Sequence, residues 1–234
     1  MSGMNENNEK NAAVEPRIVR LGFTKHGPII FTSHLDLQRT MMRILARADL
    51  PLWYTQGFNP HAKLVFALPL PLGCASECEL MDIRLEGDMP CEEIKSRISD
   101  QFPEGIEVID VYEMQRKVKE IKWLRISGVF EYDERDAAQM AEKLNEFYAA
   151  ESIVITKKTK RGMGESDIRP AIKEISFESS GRDVILSAVI SAQEPTLNPE
   201  LIADALRQLA PEYAPDFAKF RRLEIFDENM EIFR

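Results

Sequence analysis

Val19, Leu21 and Phe23 alternate with Arg20, Gly22 and Thr24, a period of two that predicts a half-buried strand ending at the turn His26-Gly27-Pro28. The apolar run Ile29 to Phe31 follows, and then Ser33-His34-Leu35-Asp36, which resembles a capping box: the serine hydroxyl accepts from exposed backbone N–H groups while the acid favours the helix's positive end. Leu37, Met41, Ile44, Leu45 and Ala48 fall on one side of a helix running from about His34 to Ala48, which Pro51 closes. Leu64 to Leu68 reads as a strand, and Met81, Ile83 and Leu85 alternate with Asp82, Arg84 and Glu86 in another. Between them Pro69-Leu70-Pro71-Leu72-Gly73 is a rigid connector. Pro90 opens a second helix carrying Ile94, Ile98 and Phe102 on one side, and Ile106 to Val111 returns to strand.

That order of strand, helix, strand, strand, helix, strand is the split βαβ or ferredoxin-like arrangement. The same order recurs downstream. Trp123 to Glu131 reads as a strand, Glu134 to Ala150 as a helix with Ala137, Ala141, Leu144 and Tyr148 on one side, and Ser152 to Lys157 as a strand. Ile172 to Phe177 and Val184 to Ser191 bracket a turn at Ser179-Ser180-Gly181, Pro199 opens a helix to about Leu209, and Phe217 to Phe226 closes the series. One strand is in excess of the pattern. The expected fold class is therefore α+β, with two ferredoxin-like domains whose antiparallel sheets are each covered by helices on one face. The expected boundaries are a disordered tail over 1–16, a first domain over 17–114, a linker over 115–122 and a second domain over 123–234.

Composition adds a charge asymmetry. The chain of 234 residues carries a formal net charge of −9, yet Arg17 to Gly73 holds seven cations (Arg17, Arg20, Lys25, Arg39, Arg43, Arg47, Lys63), only two acids (Asp36, Asp49), and all three histidines. This local +5 directs the search for an anionic partner to that window. No apolar run is long enough to span a bilayer, and the polar N-terminal stretch lacks the layout of a signal peptide, so the expectation is a cytoplasmic protein with no membrane partner. Three cysteines, Cys74, Cys78 and Cys91, without a secretion signal are expected to be reduced thiols. Cys91, beside Pro90 at a helix start, is placed either for a depressed thiol pKa or for a small buried role.

Arg39, Arg43 and Arg47 recur every four residues and so form a stripe of guanidiniums suited to phosphate, although a solvated helix face accounts for them equally well. The loop Gly57-Phe58-Asn59-Pro60-His61-Ala62-Lys63 gathers an aromatic, an amide, an imidazole and an amine. With Trp53 and Tyr54 it interleaves cations and aromatics as single-stranded nucleic acid requires. By itself Phe58 reads more readily as a core residue. In the second half, Lys157-Lys158-Thr159-Lys160-Arg161-Gly162-Met163-Gly164 forms a basic hairpin or loop ahead of Asp167-Ile168-Arg169-Pro170. The candidate anion- or RNA-binding set is Lys25, His34, Arg39, Arg43, Arg47, Asn59, His61, Lys63, Lys157, Lys160, Arg161 and Arg169. No metal site is expected, since the histidines lack ligand spacing, and no dinucleotide, Walker, nucleophile-elbow or iron–sulfur motif calls for a cofactor.

The capping box with its Arg-studded helix, Leu50-Pro51-Leu52, the Gly57 to Lys63 loop, Pro69-Leu70-Pro71-Leu72-Gly73, Asp82-Ile83 and Asp167-Ile168-Arg169-Pro170 together resemble the bacterial radical SAM-linked protein family. The resemblance implies a radical SAM protein as partner, with the radical chemistry in that partner because this chain lacks the cysteine triplet. It also implies a genomic setting near ribonuclease E/G and ribosomal protein genes, and brings no family active site. Three readings follow: an accessory, non-catalytic module binding RNA or the radical SAM protein in RNA- or ribosome-related modification; a metal-independent RNA-processing or RNA-modifying enzyme using His34 or His61 with Lys63; and an adaptor that binds protein alone.

Overall fold

The computed structural model describes residues 16–159 and 162–234. Residues 1–15 of the expected tail, and with them Lys160 and Arg161, lie outside the described residues.

The first half runs β1 (Arg17–Lys25), α1 (His34–Arg47), β2 (Leu64–Phe66), β3 (Ala75–Leu85), α2 (Cys91–Ser99) and β4 (Val108–Glu113), with a short 3-10 turn at Gly27–Phe31 before α1. The second runs β5 (Trp123–Glu131), α3 (Ala137–Tyr148), a hairpin of β6 (Val154–Thr159) and β7 (Gly162–Asp167), then β8 (Ile172–Ser180), β9 (Asp183–Ser191), α4 (Glu200–Leu209) and β10 (Phe217–Phe226). The strand in excess of the sequence pattern belongs to the β6–β7 hairpin, which forms a separate two-stranded sheet.

In each half the first strand lies between the last and the third, and the second flanks the third: β4-β1-β3 with β2 on β3, then β10-β5-β9-β8. The expectation of two separate sheets is corrected here, because the halves join in one continuous sheet. β3 is long enough to serve two neighbours: its C-terminal part pairs with β2 (Leu64↔Ile83, Phe66↔Met81), and its first residues pair in parallel with β10 (Arg221↔Ala75, Arg222↔Ser76). The fold is thus mixed α+β on one large, mainly antiparallel sheet.

Two apolar clusters hold it. One packs Leu37, Met41, Ile44 and Leu45 of α1 and Ile94 and Ile98 of α2 on β1 and β3. The other packs α3 and α4 on β5 and β9, and also takes in Ala67, Leu68, Cys74 and Leu80 from the first half. The halves therefore share apolar contacts across their seam. The expected linker is likewise knitted in: Gln193 donates to the Val118 carbonyl at 2.9 Å, and Arg116 pairs with Asp227 at 2.6 Å and with Glu120 at 3.2 Å.

The start of α1 is set as the sequence suggests. Ser33 is the N-cap, and its hydroxyl accepts from the Asp36 backbone N–H at 3.2 Å. Ser33→Ala is expected to lower stability by about 1 kcal/mol, readable as a shift in the urea midpoint at unchanged slope. A loss under a few tenths of that would mean that water replaces the cap.

Candidate functional site

The outward side of α1 and the loop that precedes β2 are the two candidate surfaces of the first half. Burial of Leu37, Met41, Ile44 and Leu45 leaves Arg39, Arg43 and Arg47 exposed along the opposite side of the helix. Arg39 pairs with Asp36 at 3.2 Å, and Arg47 reaches the Gln101 carbonyl at 3.4 Å. Asp36 accepts from the Ser33 hydroxyl and from Arg39, and both hold its carboxyl below the usual carboxylate range.

The loop is closed at its base by the isolated bridge between Tyr54 and Ala62 and by the Thr55 N–H donating to the His61 carbonyl at 3.0 Å. The His61 imidazole Nδ1 lies 3.1 Å from both the Thr55 hydroxyl and the Asn59 carbonyl, so the ring's orientation is fixed from within the loop. Phe58 is fully exposed at the tip, contrary to its reading as a core residue, and Tyr54 is half exposed. Asn59 and Lys63 are exposed as well. The chain then enters β2, whose Phe66 ring meets the His34 ring edge-on at 4.9 Å. In this way the loop's exit is placed beside the first residue of α1. His34 and His61 share no partner, and among the described residues no group of three His, Cys, Asp or Glu side chains is placed to hold a metal.

Other members of the expected set lie elsewhere. Lys25 is 2% exposed and donates to the carbonyls of Ile30 and Thr32, both at 3.3 Å, so it is not available to an external anion. Burial holds its pKa below the ordinary lysine value, against the opposing pull of Glu79. Arg169 is half-buried and donates to the backbone carbonyls of Ala150 at 3.1 Å and Ile172 at 2.8 Å, which ties the end of α3 to the start of β8. Lys157 stands on β6 opposite Gly164. Of the two readings of Cys91, the depressed thiol is contradicted: burial and the nearby Glu113 carboxylate raise its pKa.

The local +5 is largely offset once the chain folds. Arg17 pairs with Glu113 of β4, Arg20 pairs with Asp82 of β3 at 2.6 Å, and Lys25 faces Glu79 of β3. Acids distant in sequence thus face three of the seven cations, Glu79 being shared by Lys25 and Arg222, which leaves Arg39, Arg43, Arg47 and Lys63 on the surface.

Two cavities between the halves were not anticipated. A groove of about 950 Å³ is lined by His26, Phe31, Leu72, Phe217, Lys219 and Arg221 among others, with Phe31, Leu72 and Phe217 exposed in it. Its cations are countered nearby: Glu77 lies 3.2 Å from both His26 and Arg221, and Lys219 pairs with Glu131. A smaller cavity of about 250 Å³ lies where the connector from Leu68 to Cys74 meets β5, the loop after β9 and Arg222. Arg222, at an inward register two residues after Phe220, is the sequence signal that points to this seam.

The fold and these surfaces define an α+β protein with an exposed cationic helix side, an exposed loop aromatic and a seam of cavities between two similar halves. Residues 18–199 match the model of a family described as uncharacterised proteins conserved in bacteria, DUF2344, and the chain belongs to that family. No curated protein matches the sequence. Among solved structures, a chain of a Cbf5-Nop10-Gar1 complex is similar with a TM-score of 0.44 at 15% identity over 88% of this chain, which spans half (50%) of that chain's length. The acetolactate synthase small subunit from Thermotoga maritima aligns with a TM-score of 0.26 at 10% identity, over 92% of this chain and 98% of that one. An unknown protein from Galdieria sulphuraria aligns with a TM-score of 0.25 at 9% identity, over 89% and 99%. No helix among the described residues is long and apolar enough to cross a membrane.

Proposed function

We propose that this chain is an accessory RNA-binding protein that takes a single-stranded segment across the outward side of α1 and the loop from Thr55 to His61. In this reading the halves act as ferredoxin-like domains over 17–114 and 123–234, joined by 115–122, and the protein works in the cytoplasm beside a radical SAM partner, as the motif resemblance implies. The observation that carries it is Phe58, a phenyl ring held fully in solvent at the tip of a loop pinned at its base, with Tyr54 half exposed below it. An exposed loop aromatic and exposed cations in the same half match the chemistry of stacking a base and neutralising its phosphate. Arg43, Arg47 and Lys63 supply the charge.

The test is fluorescence anisotropy of the full chain with labelled single-stranded RNA of mixed sequence, repeated across a salt series. Arg39→Glu/Arg43→Glu/Arg47→Glu is expected to weaken binding by more than about tenfold and to flatten the dependence of log affinity on log salt. Phe58→Ala is expected to weaken it by about 5- to 100-fold with little change in that slope. Absence of binding by the unaltered chain at low salt, or unchanged affinity in both variants, rules the proposal out.

A further inference from the structure

The cavity of about 250 Å³ at the seam has a distinct chemical character. Its walls are apolar, formed by Leu68, Leu70, Leu124, Ile126 and Leu197, and the charged side chain that reaches it is Arg222. No acid is among its lining residues. Arg222 is 4% exposed, and two hydrogen bonds hold it in place: to the Glu79 carboxylate at 2.8 Å and to the Pro69 carbonyl at 2.9 Å. A guanidinium has five N–H donors, so these two bonds fix its orientation without exhausting it.

The charge balance beneath the cavity is uneven. Glu79, 2% exposed, faces two buried cations, Arg222 and Lys25, so the fully buried part of the group carries one more positive than negative side chain, while the half-buried Glu200 acts on Cys74 from α4. A buried cation without a full counter-charge is costly, and an anion entering from the apolar side would relieve that cost in a medium where its attraction is strong. Cys74, which also lines the cavity, contributes a neutral wall, since burial pushes its thiol up to about 11. The volume falls below the roughly 300–1,000 Å³ of sites for drug-sized ligands, which limits the occupant to a small molecule.

We propose that this cavity binds a small monocarboxylate with an aliphatic or aromatic body, the carboxylate against Arg222 and the body among the leucines and Ile126. Because its walls come from both halves, the ligand would fasten the connector to β5 and to the loop after β9. The site is independent of the RNA surface on α1.

Titration calorimetry of the full chain with hexanoate, phenylacetate and benzoate, each against its neutral amide, tests the proposal. At least one acid is expected to bind at millimolar concentration or below, and its amide at least about tenfold more weakly, because the ionic hydrogen bond is lost. Leu70→Trp, at a half-buried wall position, fills the cavity and is expected to abolish binding with Arg222 and Glu79 untouched. Thr196→Trp, built from the exposed rim, gives the same readout if the first variant does not fold. The triple Glu variant of α1 is expected to bind the acid unchanged, which separates this site from RNA binding. No binding of any of the three acids, equal affinity for acid and amide, or full binding in a folded occluded variant overturns the proposal.

Discussion

Glu79→Gln is expected to lower stability by about 3–5 kcal/mol, the usual cost of removing one partner from a buried ion pair. Glu79 is the acid that two nine-tenths-buried cations share, so the substitution leaves both Lys25 and Arg222 without the carboxylate each faces. The hydrogen bond to Arg222 can be remade by the amide, but the counter-charge cannot. Lys25 supplies the sign of the accompanying pH effect. Burial already holds its folded pKa below the ordinary value of 10.5, and loss of Glu79 removes the group that pulls it back up. Between the folded and unfolded pKa values the unfolded chain binds the extra proton, so stability rises with pH across that interval. The deficit of the Gln variant is therefore expected to be larger at neutral pH and to shrink as pH approaches 10.5. Urea unfolding at several pH values checks both statements. A loss below about 1 kcal/mol, or a deficit that grows on the alkaline side, would show that the seam is wetter than its burial indicates.

Where a segment's hydrogen bonding and burial are decided by its own residues, its sequence announces it. β5 follows its alternation, with Leu124, Ile126 and Phe130 buried, and the Ser33 cap sets the start of α1. The β6–β7 hairpin was harder to see, because the pairing of Lys157 with Gly164 and of Thr156 with Glu165 rests on backbone bonds rather than on an apolar side. The buried charges were not legible at all. Arg20 alternates with Val19 and Leu21 in a pattern that predicts a single buried side; yet β1 is covered on both sides, and the covering group, Phe233, lies at the far end of the chain. The same blindness inflated the charge anomaly, since Asp82, Glu79 and Glu113 come from strands that only the sheet order brings next to β1. Within the candidate site, the arginine stripe followed from helical periodicity. The exposure of Phe58 did not, because composition cannot say whether a loop aromatic turns inward.

Arg20 is also the centre of the second large expected effect. Its side chain is 0% exposed and binds Asp82 through two N–H groups, at 2.6 and 2.9 Å. The Phe233 ring lies against it, with its centroid 5.1 Å from the Arg20 guanidinium carbon and 4.9 Å from that of Arg116. Arg20 Nη1 and the Tyr112 hydroxyl have no hydrogen-bond partner among the described residues, and the phenol oxygen can accept a hydrogen bond but brings no counter-charge to replace a lost carboxylate. Asp82→Ala is accordingly expected to cost about 3–5 kcal/mol, seen as a lower urea midpoint at unchanged slope. The paired replacement Arg20→Met/Asp82→Leu removes both charges together and is expected to recover most of that loss, since a well-packed apolar pair avoids the desolvation that two buried ions incur. If the paired variant is as unstable as Asp82→Ala alone, the cost lies in packing beneath Phe233 rather than in an orphaned charge. The two cases are separated further by Phe233→Ala. With the ion pair intact it should open the guanidinium to water and cost no more than the roughly 3–5 kcal/mol of a large-to-small core change, and in the Asp82→Ala background it should cost less, because water then solvates the unpaired cation.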